Sequence, residues 1–108
     1  MSEKEKRKND AEFVIDTFLA NRYWHIMNAD GGKLTITNQR LIFEPHAINL
    51  NTKQSEIALE DILSMDFFSP MGIIPNGLVI RTRDGTEHKF VVYKRKQIAE
   101  IIEGLIGC

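Results

Sequence analysis

The stretch from Gly31 to Pro45, Gly-Gly-Lys-Leu-Thr-Ile-Thr-Asn-Gln-Arg-Leu-Ile-Phe-Glu-Pro, constrains the fold more than any other part of the chain. Leu34 and Ile36 alternate with Lys33, Thr35 and Thr37, the period-two pattern of a strand with one face buried. Asn38-Gln39 interrupts the alternation, and Leu41 and Phe43 resume it. With those two residues as the loop, Ile36 faces Leu41 and Leu34 faces Phe43. Leu34, Ile36, Leu41 and Phe43 then share a dry face, and Lys33, Thr35, Thr37, Arg40 and Glu44 share the other. A slip of one residue moves the second strand's apolar side chains into water, so the register is well specified. Asn38 tolerates the positive φ of a tight turn, although Gln39 is a poor second turn residue. Such a hairpin must be covered by a second sheet or a helix.

The rest of the chain offers that cover. Glu12 to Met27 is rich in β-branched and aromatic residues and reads as a long strand, with a helical start as the alternative. Tyr23 and Trp24 within it read as packing residues. Asn28-Ala-Asp-Gly-Gly32 reads as the turn into the hairpin. Pro45 ends the second hairpin strand, and residues 46 to 55 read as a polar loop. Glu56 to Leu59 is a short strand, Glu60-Asp61 a bend, and Ile62 to Phe68 a further strand. The continuous apolar run through Phe67-Phe68 implies either burial on both faces or a bulge.

A loop set by prolines and glycines, residues 69 to 77, leads to Leu78 and Ile80, whose partner strand ends in Phe90 and Val92. Parity decides the intervening turn. A two-residue Asp84-Gly85 loop separates the apolar residues onto opposite faces. A three-residue loop, Arg83 to Gly85 with Gly85 left-handed, pairs Leu78 with Phe90 and Ile80 with His88. The three-residue loop is therefore expected.

The chain closes on a helix over 94–106. Ile98, Ile101, Ile102, Leu105 and Ile106 form its apolar stripe, and Gly107 is placed as the C-terminal cap. No good N-cap precedes it. Lys94, Arg95 and Lys96 stand at the positive end of the helix dipole, where cations are unfavourable. Nothing local asks for them, which makes them candidates for function.

Composition narrows the rest. At 108 residues, 43% apolar and 27% charged, the chain is one ordinary globular domain, residues 12–108, behind a charged tail at 1–11. Fourteen basic and fifteen acidic residues give a net charge of −1, with no global bias toward nucleic acid or an anionic bilayer. The single cysteine, Cys108, precludes an intramolecular disulfide, and no apolar stretch approaches a membrane span. These features point to a cytoplasmic protein. There is no Gly-x-Ser-x-Gly elbow, phosphate-cradling Gly-x-x-x-x-Gly-Lys loop or His-Glu-x-x-His motif, and His25, His46 and His88 lack metal-ligand spacing. Neither an enzymatic activity nor a cofactor is expected.

The run Gly31 to His46 resembles the bacterial GRAM-domain family. So do Ile57-Ala-Leu-Glu-Asp-Ile62, Gly72-Ile-Ile-Pro-Asn-Gly-Leu78, and Asp84-Gly with Phe90-Val-Val downstream. The matches span roughly residues 20 to 103 in order. The resemblance implies the pleckstrin-homology (PH) superfold: two near-orthogonal antiparallel sheets of seven strands, capped by a C-terminal helix. It implies a lipid- or protein-binding module without catalytic residues. Phosphoinositide-binding members of the superfold share a basic cluster around the first two strands. The corresponding stretch here, Asn28 to Lys33, has one lysine and an opposing Asp30. Neighbouring loops of the superfold would add His46, Lys53 and Arg83, partly offset by Asp84. Each exposed cation near an anionic surface contributes on the order of 1 kcal/mol, so Lys33, Lys53, Arg83, Lys94, Arg95 and Lys96 would give weak, unspecific membrane attraction. Protein contact or self-association is therefore the leading expectation, with anionic lipid the alternative.

Overall fold

A computed structural model describes residues 11–25, 28–46, 54–69 and 76–107, the side chains of 23–25 and 28–30 excepted. Residues 1–10 of the charged tail, residues 47–53 with Lys53, residues 70–75, Cys108 and the side chains of Tyr23, Trp24, His25 and Asp30 lie outside the described residues. Seven strands precede one helix: β1 Val14–His25, β2 Asn28–Thr37, β3 Arg40–Pro45, β4 Ser55–Ala58, β5 Ile62–Phe68, β6 Gly77–Thr82, β7 Glu87–Val91 and α1 Arg95–Ile106. A 3-10 turn, Leu59–Asp61, joins β4 to β5.

All strands are antiparallel and form one ladder in the order β4-β3-β2-β1-β7-β6-β5. β1 belongs to both halves, because it pairs along β2 and also places Asn21 opposite Val91 and Arg22 opposite Phe90 on β7. Leu34, Ile36, Leu41 and Phe43 from one half and Leu78, Ile80 and Phe90 from the other enter a single core. The rings of Phe43 and Phe90 meet there with centroids 5.8 Å apart. The molecule is thus an open sandwich, mainly β, closed by α1. Ile98 and Ile102 of α1 are fully buried, and Ile101, Leu105 and Ile106 pack on the core half-buried. Gly107 ends the helix by donating its N–H to the Glu103 carbonyl at 2.8 Å, at a negative φ of −82°.

The hairpin registers follow the alternation. Ile36 faces Leu41 and Leu34 faces Phe43. Leu78 faces Phe90 and Ile80 faces His88 across an Arg83–Gly85 loop in which Gly85 has φ +90°. The Asn38-Gln39 turn holds despite Gln39 because Thr37 supports it. The Thr37 hydroxyl accepts the N–H groups of Gln39 and Arg40 at 3.0 and 2.9 Å and donates to Glu12 at 2.8 Å. Arg40 grips the same Glu12 carboxylate through two nitrogens, at 2.8 and 3.0 Å, and also meets Glu56. The arginine keeps the Glu12 carboxyl below its usual range, and this partly exposed pair holds the start of β1 against the turn.

Four expectations are corrected. Thr35 and Thr37 are buried rather than solvated, Thr37 under Glu12 and Arg40, Thr35 between Thr17 and Ile42 on the flanking strands. Asn28 to Gly32 is not a turn but the start of β2, since His25 already faces Asn28. Leu59 leaves the strand, buried in the 3-10 turn with its N–H on the Gln39 carbonyl at 3.0 Å. The Phe67-Phe68 run is not buried on both faces, because β5 lies at the end of the ladder. Its irregularity is a register shift between Ile62 and Ser64.

Candidate interaction surface

The basic residues singled out by the sequence do not share a site. Lys33 is exposed in the body of β2, between Leu19 on β1 and Glu44 on β3, so it is not a loop residue. Arg83 donates its N–H to the Asp61 carbonyl at 2.9 Å and its Nε to the Glu60 carbonyl at 3.1 Å, tying the β6–β7 loop to the 3-10 turn. Arg95 is half-buried. Its Nη1 donates to the carbonyls of Phe68 at 3.0 Å and Gly77 at 3.3 Å, and its guanidinium lies 4.4 Å from the centre of the Phe67 ring. A cation at this helix start thus has a structural reason: it binds the seam where β5 ends and β6 begins. Lys94 and Lys96 remain exposed at the surface.

What the fold leaves open is a strand edge. The ladder ends in β4 on one side and β5 on the other, and among the described residues no strand pairs with the outer edge of either. β4 has four residues, whereas β5 has seven: Ile-Leu-Ser-Met-Asp-Phe-Phe. Leu63 is 61% exposed and Phe67 45% exposed. Proteins commonly blunt an edge with lysine, proline or an inward charge. None of these lies within 62–68, where the single charge, Asp66, is already paired with Arg81, itself bonded to Glu87 at 2.9 Å; the one device of this kind on β5 is the register shift at its start, between Ile62 and Ser64. The apolar run through Phe67-Phe68 is compatible with burial on both faces or with a bulge, and only the strand order shows Leu63 and Phe67 exposed.

A second feature is a polar groove of about 420 Å³ whose lining includes Glu56, Asp61, Thr82, Arg83, Asp84 and His88. Arg22 is buried beneath it, 5.1 Å over the Phe90 ring, and burial lowers its pKa. Its Nη2 lies 3.1 Å from His88 Nδ1, and because arginine only donates, Nδ1 accepts and Nε2 carries the proton. His88 Nε2 faces the Thr82 hydroxyl at 3.4 Å, and that hydroxyl donates to Asp84 at 2.6 Å. Asp84 also accepts the Thr86 N–H at 3.0 Å. These donors, Thr82 first, pull the Asp84 carboxyl down to about 2. Burial, and then the Arg22 charge, keep His88 below its ordinary value.

Both shifts act in one direction on stability. The unfolded chain takes up each proton before the folded one does, so stability falls as the pH falls. For Asp84 the contribution is complete above its ordinary value of 3.8 and is lost as the pH drops toward about 2. For His88 it is complete above 6.5 and is lost as the pH falls through the lower folded value. An Asp84→Ala chain should therefore show a flatter fall of Tm than the parent between about pH 4 and pH 2, read by circular dichroism melts.

A third surface surrounds Leu19 and Tyr93, both strongly exposed. They line two adjoining shallow grooves of about 260 Å³ each, one reaching Gly31 and His46, the other Thr17 and Lys94. Lys33 stands opposite Leu19, so two cations flank this apolar pair. Among the described residues no three or more His, Cys, Asp or Glu side chains group to hold a metal ion.

No family pattern matches the chain, and no curated protein does. Solved structures do. The C-terminal domain of an unknown protein from Leishmania infantum superposes with a TM-score of 0.76 at 16% identity, covering 90% of this chain and 86% of that one. The Vps36 N-terminal PH domain gives 0.64 at 15% identity, over 89% and 80%. The hSac2 domain of the human phosphoinositide phosphatase Sac2 gives 0.65 at 11% identity, over 97% and 83%. At these identities the likeness shows the fold, which is PH-like.

Proposed function

We propose that this PH-like chain is a GRAM-type, non-enzymatic binding module, working in the cytoplasm, that takes up an extended protein segment along β5. The observation that carries this reading is the outer edge of β5, with which no described strand pairs, bearing exposed Leu63 and Phe67 and no lysine or proline. An added strand gains main-chain hydrogen bonds from such an edge, and flanking apolar side chains supply selectivity. Peptides selected from a random display library should shift the amide resonances of residues 63–67, and Leu63→Lys should weaken them at least tenfold. Shifts confined to β1 and β2 would reject the edge as the binding site.

A second reading rests on Leu19 and Tyr93 between Lys33 and Lys94: an apolar pair flanked by cations suits an anionic bilayer surface. Two exposed lysines at about 1 kcal/mol each support only weak attachment. Anionic vesicles should therefore retain the chain at low salt and lose it at moderate salt, and Lys33→Glu with Lys94→Glu should abolish even the first. Salt-resistant retention with a headgroup preference would promote the membrane reading over the peptide one.

A further inference from the structure

We infer that the segment received by β5 is β5 of a second copy, paired antiparallel about a two-fold axis at Met65. This inference rests on the edge-binding reading and names its partner. The sequence of the edge is self-complementary in this register. With Met65 opposite Met65, Ser64 stands opposite Asp66, and exposed Leu63 stands opposite exposed Phe67 at both ends. The two exposed apolar side chains of this edge thereby meet each other across the two copies. The register from Ser64 to Phe68 is regular against β6, because the shift is confined to the start of the strand. Ser64 to Phe68 thus supply the regular main-chain pairing, and Leu63, the extra residue of the shift, stands at its border.

The charges select the same register. Centring the axis on Asp66 would set two carboxylates directly opposite each other, which is repulsive. Centring it on Met65 sets each Asp66 against a serine. Ser64 is itself flanked on β6 by Arg81, its direct cross-strand partner. Arg81 of one copy and Asp66 of the other then face each other across one small side chain, about 10 Å apart between backbones. That separation is bridgeable by an arginine and an aspartate together. Arg81 already holds its own Asp66 and Glu87, and a guanidinium has donors beyond those two. The interface is isologous, so it closes at two copies. Its product is a continuous sheet that ends, among the described residues, in the short β4 strands.

The test is sedimentation equilibrium of the full chain across a hundredfold range of concentration. A mass rising toward twice 12.4 kDa is expected, with Leu63→Lys weakening association at least tenfold while retaining the parent's melting temperature. The register is read by cross-linking in a Cys108→Ser background. Residues directly opposite in an antiparallel pair stand about 5 Å apart at Cα, within disulfide range. A Ser64→Cys chain mixed with an Asp66→Cys chain should therefore oxidise to a mixed dimer, and neither should do so comparably alone. A monodisperse monomer, or equal cross-linking in all three samples, overturns the self-pairing. Binding of selected peptides at residues 63–67 by that same monomer would show that the edge-binding reading survives it.

Discussion

Replacing Ile102 by alanine is expected to lower stability by about 2–5 kcal/mol, the range for emptying a fully buried isoleucine site. Ile102 has no exposed surface, and with Ile98 and Ala99 it forms the face that α1 sets into the core. The core cluster it joins includes Leu59 of the 3-10 turn and Ile62 at the start of β5, the point where the two halves of the sheet are bridged by chain rather than by ladder hydrogen bonds. A void there has no continuous strand pairing to close it, which places the loss toward the upper part of the range. For a domain of this size the fall in Tm is on the order of 10 °C or more. Ile101, one position away, is only half-buried. Its alanine variant should lose clearly less. Thermal melts of the two variants side by side check the docking of the helix, and equal melts for Ile102→Ala and the parent would mean that α1 does not cap the core.

Gly32→Ala should be among the most damaging single-methyl additions in the described sheet, beside Gly77→Ala, whose Cβ would lie 2.5 Å from the Phe68 carbonyl oxygen and 2.6 Å from its ring. A Cβ at position 32 would lie 2.4 Å from the Glu44 carbonyl oxygen, 2.8 Å from Phe43 Cζ and 2.9 Å from Pro45 Cα. Two of these are backbone atoms of β3, its paired strand, and the third belongs to a core ring. None can move aside without displacing the ladder or the Phe43–Phe90 contact. Overpacking of this kind costs about 3 kcal/mol at the upper end of its usual range. Urea unfolding of Gly32→Ala should show a lower midpoint with an unchanged slope, the signature of a destabilised but intact fold. Gly31→Ala supplies the contrast, because among the described residues its Cβ would meet the Asn21 side chain at 3.1 Å and the His46 ring at 3.8 Å, and no backbone atom. It should lose much less.

The strand pleat and the helix turn dictate several features directly from the residue pattern. Alternation set the Leu34–Phe43 and Ile36–Leu41 register, and parity chose the three-residue loop at Arg83–Gly85. The 3.6-residue period chose the face that α1 buries. These are local rules, satisfied by neighbours within a few residues. The glycine pair depends instead on the assembled sheet, because Gly31-Gly32 signals either a turn or a close approach, and the approach depends on where β3 lies. The same holds for Arg95, whose carbonyl partners are 27 and 18 residues away and whose place in a basic run suggested a ligand site. Lys33 and Arg83 were likewise separated by strand order, one into the body of β2 and one onto the 3-10 turn. Burial of a strand depends on its position in the ladder, which no residue of the strand encodes. Thr35 and Thr37 are covered because β2 is flanked on both sides, while Leu63 and Phe67 stay exposed because β5 comes last.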